Sequence, residues 1–219
     1  SPLALLPSYL HEIADSVDLT IEAVIADLAL KRQAIESLNN AFIGIGEPIL
    51  SATLNASATE AGGWAVEPAN IIGWASLPPL ESAEVIELLP GLKTIPETIK
   101  QAQEFFTSLG KEPVMVGDTT GGVLPRVVAN LINEAAFALM EGVALAEDID
   151  QAMQLGTNYP HGPLAWGDLI GLDQVMGIID ALAETLGADR YRPAPLLRRL
   201  VQAGMWGQRT GRGFFDYSP

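Results

Sequence analysis

The chain has 219 residues, 48% of them hydrophobic and 18% charged, a globular composition that excludes disorder, collagen and coiled coil. Twelve basic residues against 27 acidic ones give a formal charge of -15, which disfavours nucleic acid as a partner. There is no cysteine, hence no disulfide, thiolate nucleophile or Cys-type metal site. With no long apolar span, and with an opening Ser1-Pro2-Leu3 unlike a secretion signal, the expectation is a soluble cytoplasmic protein that does not enter membranes.

Residues 1–116 read as an α/β domain. The short apolar runs Leu19–Val24, Ile49–Thr53, Ile71–Ala75 and Val85–Leu89 have the length of buried strands. They alternate with helical patterns. Asp27–Phe42 aligns Leu28, Ile35, Leu38 and Phe42 with Asp27 as N-cap, and Pro96–Leu109 aligns Ile99, Phe106 and Leu109. Strands separated by helices predict a parallel sheet. Gly44-Ile45-Gly46-Glu47 is the one superficial phosphate-loop candidate. It follows a helix instead of joining a strand to one and carries an acid, so it reads as a loop.

A turn-rich bridge, Gly117-Asp118-Thr119-Thr120-Gly121-Gly122, opens residues 117–219, where the strand signal disappears. Leu124–Val143 spaces Val127, Val128, Leu131, Ile132, Ala135 and Leu139 over a broad apolar arc, with Pro125 in its first turn. Helices at Glu147–Leu155, Pro163–Ile170, Leu172–Leu186 and Ala194–Ala203 follow, with Gly156, Gly171, Gly187 and Gly204 as stop signals. This part is all-α. Every Arg except Arg32 lies in it.

Several phrases of the second part occur in order and at matching spacing: Asn133-Glu134-Ala135, Glu147-Asp148-Ile149-Asp150, Tyr159-Pro160-His161-Gly162-Pro163, Asp168-Leu169-Ile170-Gly171-Leu172-Asp173, and Gly207–Tyr217. Together they resemble the C-terminal helical domain of the 3-hydroxyacyl-CoA dehydrogenase family. The first part is similar to that family's dinucleotide-binding domain through Asp18–Val24, Asp27–Lys31 and Val85–Leu89. The resemblance implies a truncated Rossmann-like sheet followed by a helical domain that commonly dimerises. It also implies NAD as cofactor, with Glu22 and Lys31 as candidate contacts, and acyl-CoA as ligand.

The departures from that pattern are chemical. The family takes the 3-hydroxyl proton with a His oriented by a Glu. The resemblance places Ala75 at the His and Glu87 at the orienting carboxylate. It likewise puts Leu54 at a substrate-binding Ser, Pro78 at an Asn, and Pro125 at the Asn before Arg126. No glycine-rich strand-turn-helix is present to cradle a diphosphate, so the chain is expected to start beyond that element. The function these departures imply is a family protein of fatty acyl-CoA metabolism, catalytically impaired as this chain, acting by oligomerisation, partner binding or acyl-CoA capture. NAD binding is then in doubt. The alternative is an active NAD-dependent enzyme, with its base displaced to His161 or its nucleotide-binding half supplied elsewhere. His11 has less support. Arg190, Arg192, Arg198 and Arg199 form the densest basic patch, read as a solvated face with ion pairs to Glu184 and Asp189. Trp166, Trp206, Phe214 and Phe215 read as core or subunit contact.

Overall fold

A computed structural model of the chain describes residues 16–25 and 27–218. His11 and the first three residues lie outside the described residues. Two compact units are present. One holds residues up to Ser76 together with Ala83–Val123, and the other holds Leu77–Ser82 and the chain from Leu124 onward. The bridge 117–122 therefore belongs to the first unit.

The first unit is a five-stranded sheet of sequential order: β1 (Thr20–Glu22), β2 (Ile49–Ala52), β3 (Ile71–Ala75), β4 (Val85–Pro90) and β5 (Glu112–Met115). It carries helices α1 (Leu28–Ala41), α2 (Ala58–Gly63) and α3 (Pro96–Ser108). Alternate residues of each strand face opposite sides of the sheet. Ile49 and Ile71 pack with Ile35, Leu38 and Phe42 around α1, while Leu50, Ile72, Trp74 and Leu88 pack with Ala102 and Phe106 of α3. Both faces are covered, which is why these strands read as unbroken apolar runs. Asp27 caps α1 by accepting the Leu30 N–H at 3.0 Å, as its sequence position predicts.

Three details differ from the expectation. The sheet is mixed, because β4 runs antiparallel to β3 while the other neighbours are parallel. The link from Ser76 to Glu84 contains no helix, and a parallel crossover needs one. The expected strands stop at β4, yet β5 adds a fifth. Pro113 and the flanking charge hide it, and an edge strand tolerates a residue without an N–H. α2 is also additional, its N-terminus capped by Ser57, which accepts the Glu60 N–H. Gly44–Glu47 is a loop, as read. The Gly44 N–H donates to both oxygens of the Glu67 carboxylate at 3.2 Å, with Gly44 and Gly46 at positive φ.

The second unit contains α4 (Leu124–Met140), α5 (Ala146–Thr157), α6 (Pro163–Ile170), α7 (Leu172–Leu186) and α8 (Pro195–Gln202). α4 packs on α6, α7 and α8 through Val128, Ile132, Ala135 and Ala136, with Leu164, Ile178, Ile179 and Leu197 also buried. The phrases that carry the family resemblance are largely loop-closing devices. Asp150 accepts the Leu164 and Ala165 N–H groups at 2.8 Å each, fixing the start of α6. Asn133 donates to Arg192 O and accepts from Ala194 N–H, anchoring the segment before α8. Asp168 accepts from Phe214 and Phe215 N–H at 3.0 and 2.9 Å, tying the last turns to α6. Gly213 is obligatory there, since an added methyl would overlap the Asp168 carboxylate. Burial pushes the Asp150 and Asp168 carboxyls above the ordinary range, and burial together with Asp168 pushes Tyr217 up to about 12.

Gly171, Gly187 and Gly204 stand at or just after helix ends at positive φ, as expected. Gly156 does not stop its helix. α5 continues to Thr157 and ends on Asn158, whose φ of 58° supplies the left-handed cap. Arg198 pairs with Asp180 at 3.0 Å, across to α7, instead of with Glu184 or Asp189, because helix packing and not sequence proximity selects the partner. Trp166, Trp206, Phe214 and Phe215 are half-buried.

Asp168→Ala should leave two N–H groups without their acceptor and release the C-terminal turns, costing about 2–4 kcal/mol. Urea unfolding followed by circular dichroism checks this, and a cost below about 1 kcal/mol contradicts the anchoring role.

Candidate active site

The antiparallel pairing of β3 with β4 sets Ala75 directly opposite Glu87 at the carboxyl end of β3. The position at which the resemblance expects a general base and the position at which it expects that base's carboxylate are thus cross-strand neighbours. Both side chains are buried, Ala75 at 1% exposure and Glu87 at 6%. Ala75 offers only a methyl group, which accepts no proton.

The bridge between the strands and α4 folds over this pair. Gly121 N–H donates to Thr53 O at 2.6 Å and Val123 N–H donates to Glu87 Oε2 at 2.7 Å. Between them Gly122 sits at φ +57°, so close that an added methyl would overlap the Glu87 carboxylate and stand 3.2 Å from Ala75 Cβ. Main chain stands against the Ala75 methyl, and Glu87 holds a backbone amide. Asp118 of the same bridge accepts the Ala58 and Thr59 N–H groups at 2.8 and 2.9 Å, locking it to α2. Sequence reading marked 117–122 as a turn. It missed Gly122 and Asp118 as site-shaping residues, although a Gly-Gly pair behind an Asp is the signal of a tightly held turn.

Glu22 and Lys31, the candidate cofactor contacts, are brought together, but with each other. Lys31 is fully buried. Its Nζ lies 2.5 Å from Glu22 Oε2 and 2.6 Å from Ala52 O. Glu22 also accepts from Ser51 Oγ at 2.8 Å and from Val24 N–H. Burial draws the Lys31 ammonium below its ordinary range while Glu22 pulls it back up. Both charges are engaged in one buried pair at the carboxyl ends of β1 and β2. Asn55 bridges the same two strand ends, donating to Ile25 O at 2.7 Å.

Leu54 is buried at 4%, with no polar group to offer a substrate. In the helical unit, Pro125 is buried in the first turn of α4, and Arg126 donates to the Tyr191 hydroxyl and lies over its ring. Pro78 is half-buried in the segment that clusters with this unit. His161 is exposed at the turn before α6, its ring 5.8 Å from that of Trp166, with no carboxylate within 4.0 Å among the described residues. No cluster of three or more potential metal ligands occurs among the described residues.

Lys31→Met strands a buried carboxylate and should cost about 3–5 kcal/mol, whereas Glu22→Gln/Lys31→Met should recover more than half of that loss. Equilibrium urea unfolding of both variants is the check, and equal losses contradict the pairing. Gly122→Ala should cost about 2 kcal/mol or more, from positive φ and from displacement of Glu87. A wild-type midpoint would show that the bridge is not held against Ala75.

The chain matches two family models: "3-hydroxyacyl-CoA dehydrogenase, NAD binding domain" over residues 6–119, and the C-terminal domain of the same family over residues 121–217. It is 38% identical over 209 residues to a probable 3-hydroxybutyryl-CoA dehydrogenase of Bacillus subtilis (strain 168), covering 94% of this chain and 71% of that protein. Among solved structures, (S)-3-hydroxybutyryl-CoA dehydrogenase PaaH1 from Ralstonia eutropha superposes with a TM-score of 0.83 at 34% identity, covering 96% of this chain and 74% of that one. FadB2 of M. tuberculosis superposes with a TM-score of 0.87 at 31% identity, covering 95% and 73%. With both of its units matched along almost their whole length, the chain belongs to the 3-hydroxyacyl-CoA dehydrogenase family.

Proposed function

We propose that this family member, a protein of fatty acyl-CoA metabolism, retains the fold for capturing an acyl-CoA and for self-association in the cytoplasm, but oxidises a 3-hydroxyacyl group poorly. The single observation that carries this reading is Ala75, buried opposite Glu87 with the Gly122 main chain packed against it.

Oxidation of a 3-hydroxyl removes a hydride from carbon and a proton from oxygen, and a positioned base for that proton contributes about 10²–10⁴-fold in rate. A methyl at position 75 supplies none of it. Glu87 Oε2 accepts the Val123 amide at 2.7 Å. The NAD-binding match implies a nicotinamide dinucleotide. Lys31 and Glu22, the residues offered for it, form a buried pair with each other inside the first unit.

The second reading, a working NAD-dependent dehydrogenase, is favoured by the match of both family models along the chain and by relatives named as dehydrogenases. It requires a base other than residue 75, for which His161 is the candidate.

The two readings part in one experiment. Purified protein is supplied with NAD and 3-hydroxybutyryl-CoA, and NADH formation is followed beside equilibrium dialysis of the acyl-CoA. The expected result is retention of acyl-CoA with turnover at least about 10²-fold below that of a relative carrying His at this position, unchanged by His161→Ala. Turnover comparable to that relative and lost in His161→Ala or Glu87→Gln overturns the proposal. So does failure to retain the acyl-CoA.

A further inference from the structure

The first unit holds a small cavity at the end of its sheet away from Ala75 and Glu87. Because β4 runs antiparallel to β3, Pro90 pairs with Ile72 near the start of β3, and the turn Gly91–Thr94 lies beyond that end. Thr94 fixes the turn. Its hydroxyl donates to Ile71 O at 2.6 Å and accepts the Gly91 N–H at 2.9 Å. Between this turn and α2 lies a cavity of about 230 Å³, with Ala58, Thr59, Gly63 and Pro68 on one side and Gly91–Thr94 on the other.

Main chain holds the two walls together. A side chain at Gly91 would begin 2.9 Å from the Thr59 nitrogen, so turn and helix meet there without side chains between them. The Leu92 N–H donates to Thr59 Oγ1 at 2.9 Å, which clamps the walls and leaves the Thr59 hydroxyl proton to be given elsewhere. Gly63, the last residue of α2, has open space where a side chain would begin. One charge lines the cavity. Lys93 is exposed, and among the described residues its ammonium has no carboxylate within 4.0 Å, whereas Lys31 and Lys100 each pair with a glutamate. The Ala58 and Thr59 N–H groups go to Asp118, so the start of α2 offers no donor of its own.

We infer that this cavity binds a small aliphatic monocarboxylate, its chain against Ala58, Gly63 and Pro68 and its carboxylate held by the Lys93 ammonium and the Thr59 hydroxyl. Size sets the class. At roughly 30 Å³ per non-hydrogen group, the share of one water in the liquid, the space takes about seven such groups and falls short of the roughly 300–1,000 Å³ of drug-sized clefts. Charge sets the head group, since an unpaired cation beside a hydroxyl donor favours an anion and a charge-assisted hydrogen bond outweighs a neutral one. The wall sets the tail. Methylenes gain by leaving water for Ala58 and Pro68, whereas inorganic phosphate would turn its remaining oxygens toward carbon without donors to replace water. The cavity lies at the opposite end of β3 from Ala75, so its occupant is a second ligand and the acyl-CoA capture proposed above stands or falls separately.

Sodium pentanoate titrated into isotope-labelled protein, with backbone amide shifts followed by NMR, tests this beside parallel titrations with pentanamide and inorganic phosphate. The amides of Gly63, Gly91 and Lys93 should move saturably with pentanoate, at a Kd below about 10 mM. Pentanamide should bind about tenfold more weakly, and phosphate should leave these amides in place. Lys93→Gln, at an exposed position, should weaken pentanoate about tenfold and leave pentanamide unchanged. Gly63→Leu fills the open space at a residue whose φ is not left-handed, and should abolish binding of both. Circular dichroism melts establish that each variant is folded, and should Gly63→Leu not fold, Lys93→Gln and pentanamide decide alone. Absence of a saturable shift with pentanoate overturns the proposal, and so does binding unchanged in either variant. Phosphate moving the same amides would make this an anion site without a tail, and pentanamide matching pentanoate an apolar pocket without a head group. Either result overturns it.

Discussion

A buried carboxylate in the first unit, Glu87, organises the region where chemistry is expected. β4 must turn back along β3 because the link between them is too short for a crossover, and this reversal sets Glu87 against Ala75. A charge buried that deeply requires donors. With a methyl group opposite, the donor is main chain: the Val123 amide reaches Glu87, Gly121 is tied to Thr53, and Gly122 is drawn so close that no side chain fits.

The same economy governs the other buried charges. Glu22 is neutralised by Lys31 and bonded to Ser51, Asp118 caps α2, and Asp150, Asp168 and Asn133 each hold backbone amides of a loop. Each of these acceptors has protein donors of its own. Glu134, Asp189, Arg190 and Arg192 contrast with this interior, being charges of both signs left unpaired around an apolar floor.

Much of the scaffold was legible because its signals are local. Asp27 before an apolar stripe, Pro163 and Pro195 in first turns, and Gly171 and Gly187 after last turns mark helix ends through the immediate backbone. What escaped depends on distance along the chain. β5 owes its existence to an open edge beside β4, which Pro113 disguises, and strand direction at β4 follows from its link, not its composition. Gly156 looked like a terminator because glycine is common there, but Asn158 took the left-handed position two residues later. Glu22 and Lys31 stood out because their pattern resembles a cofactor-side segment, but their pairing with each other was not legible. Only packing shows that nine residues of chain fold the ammonium back onto the carboxylate.

The match to the dehydrogenase family is compatible with a methyl group at position 75. The phrases that make the likeness strong in the helical unit, around Asn133, Asp150, Asp168 and Gly213, close loops and bind amides, and these tasks persist whatever happens at position 75. Fold is retained by many such acceptors, each contributing a modest share, and losing one is tolerated only at the expense of stability. Proton removal depends on a single atom with a lone pair at one place. A sequence can keep nearly all of the first set whatever stands opposite Glu87, so overall similarity measures the scaffold.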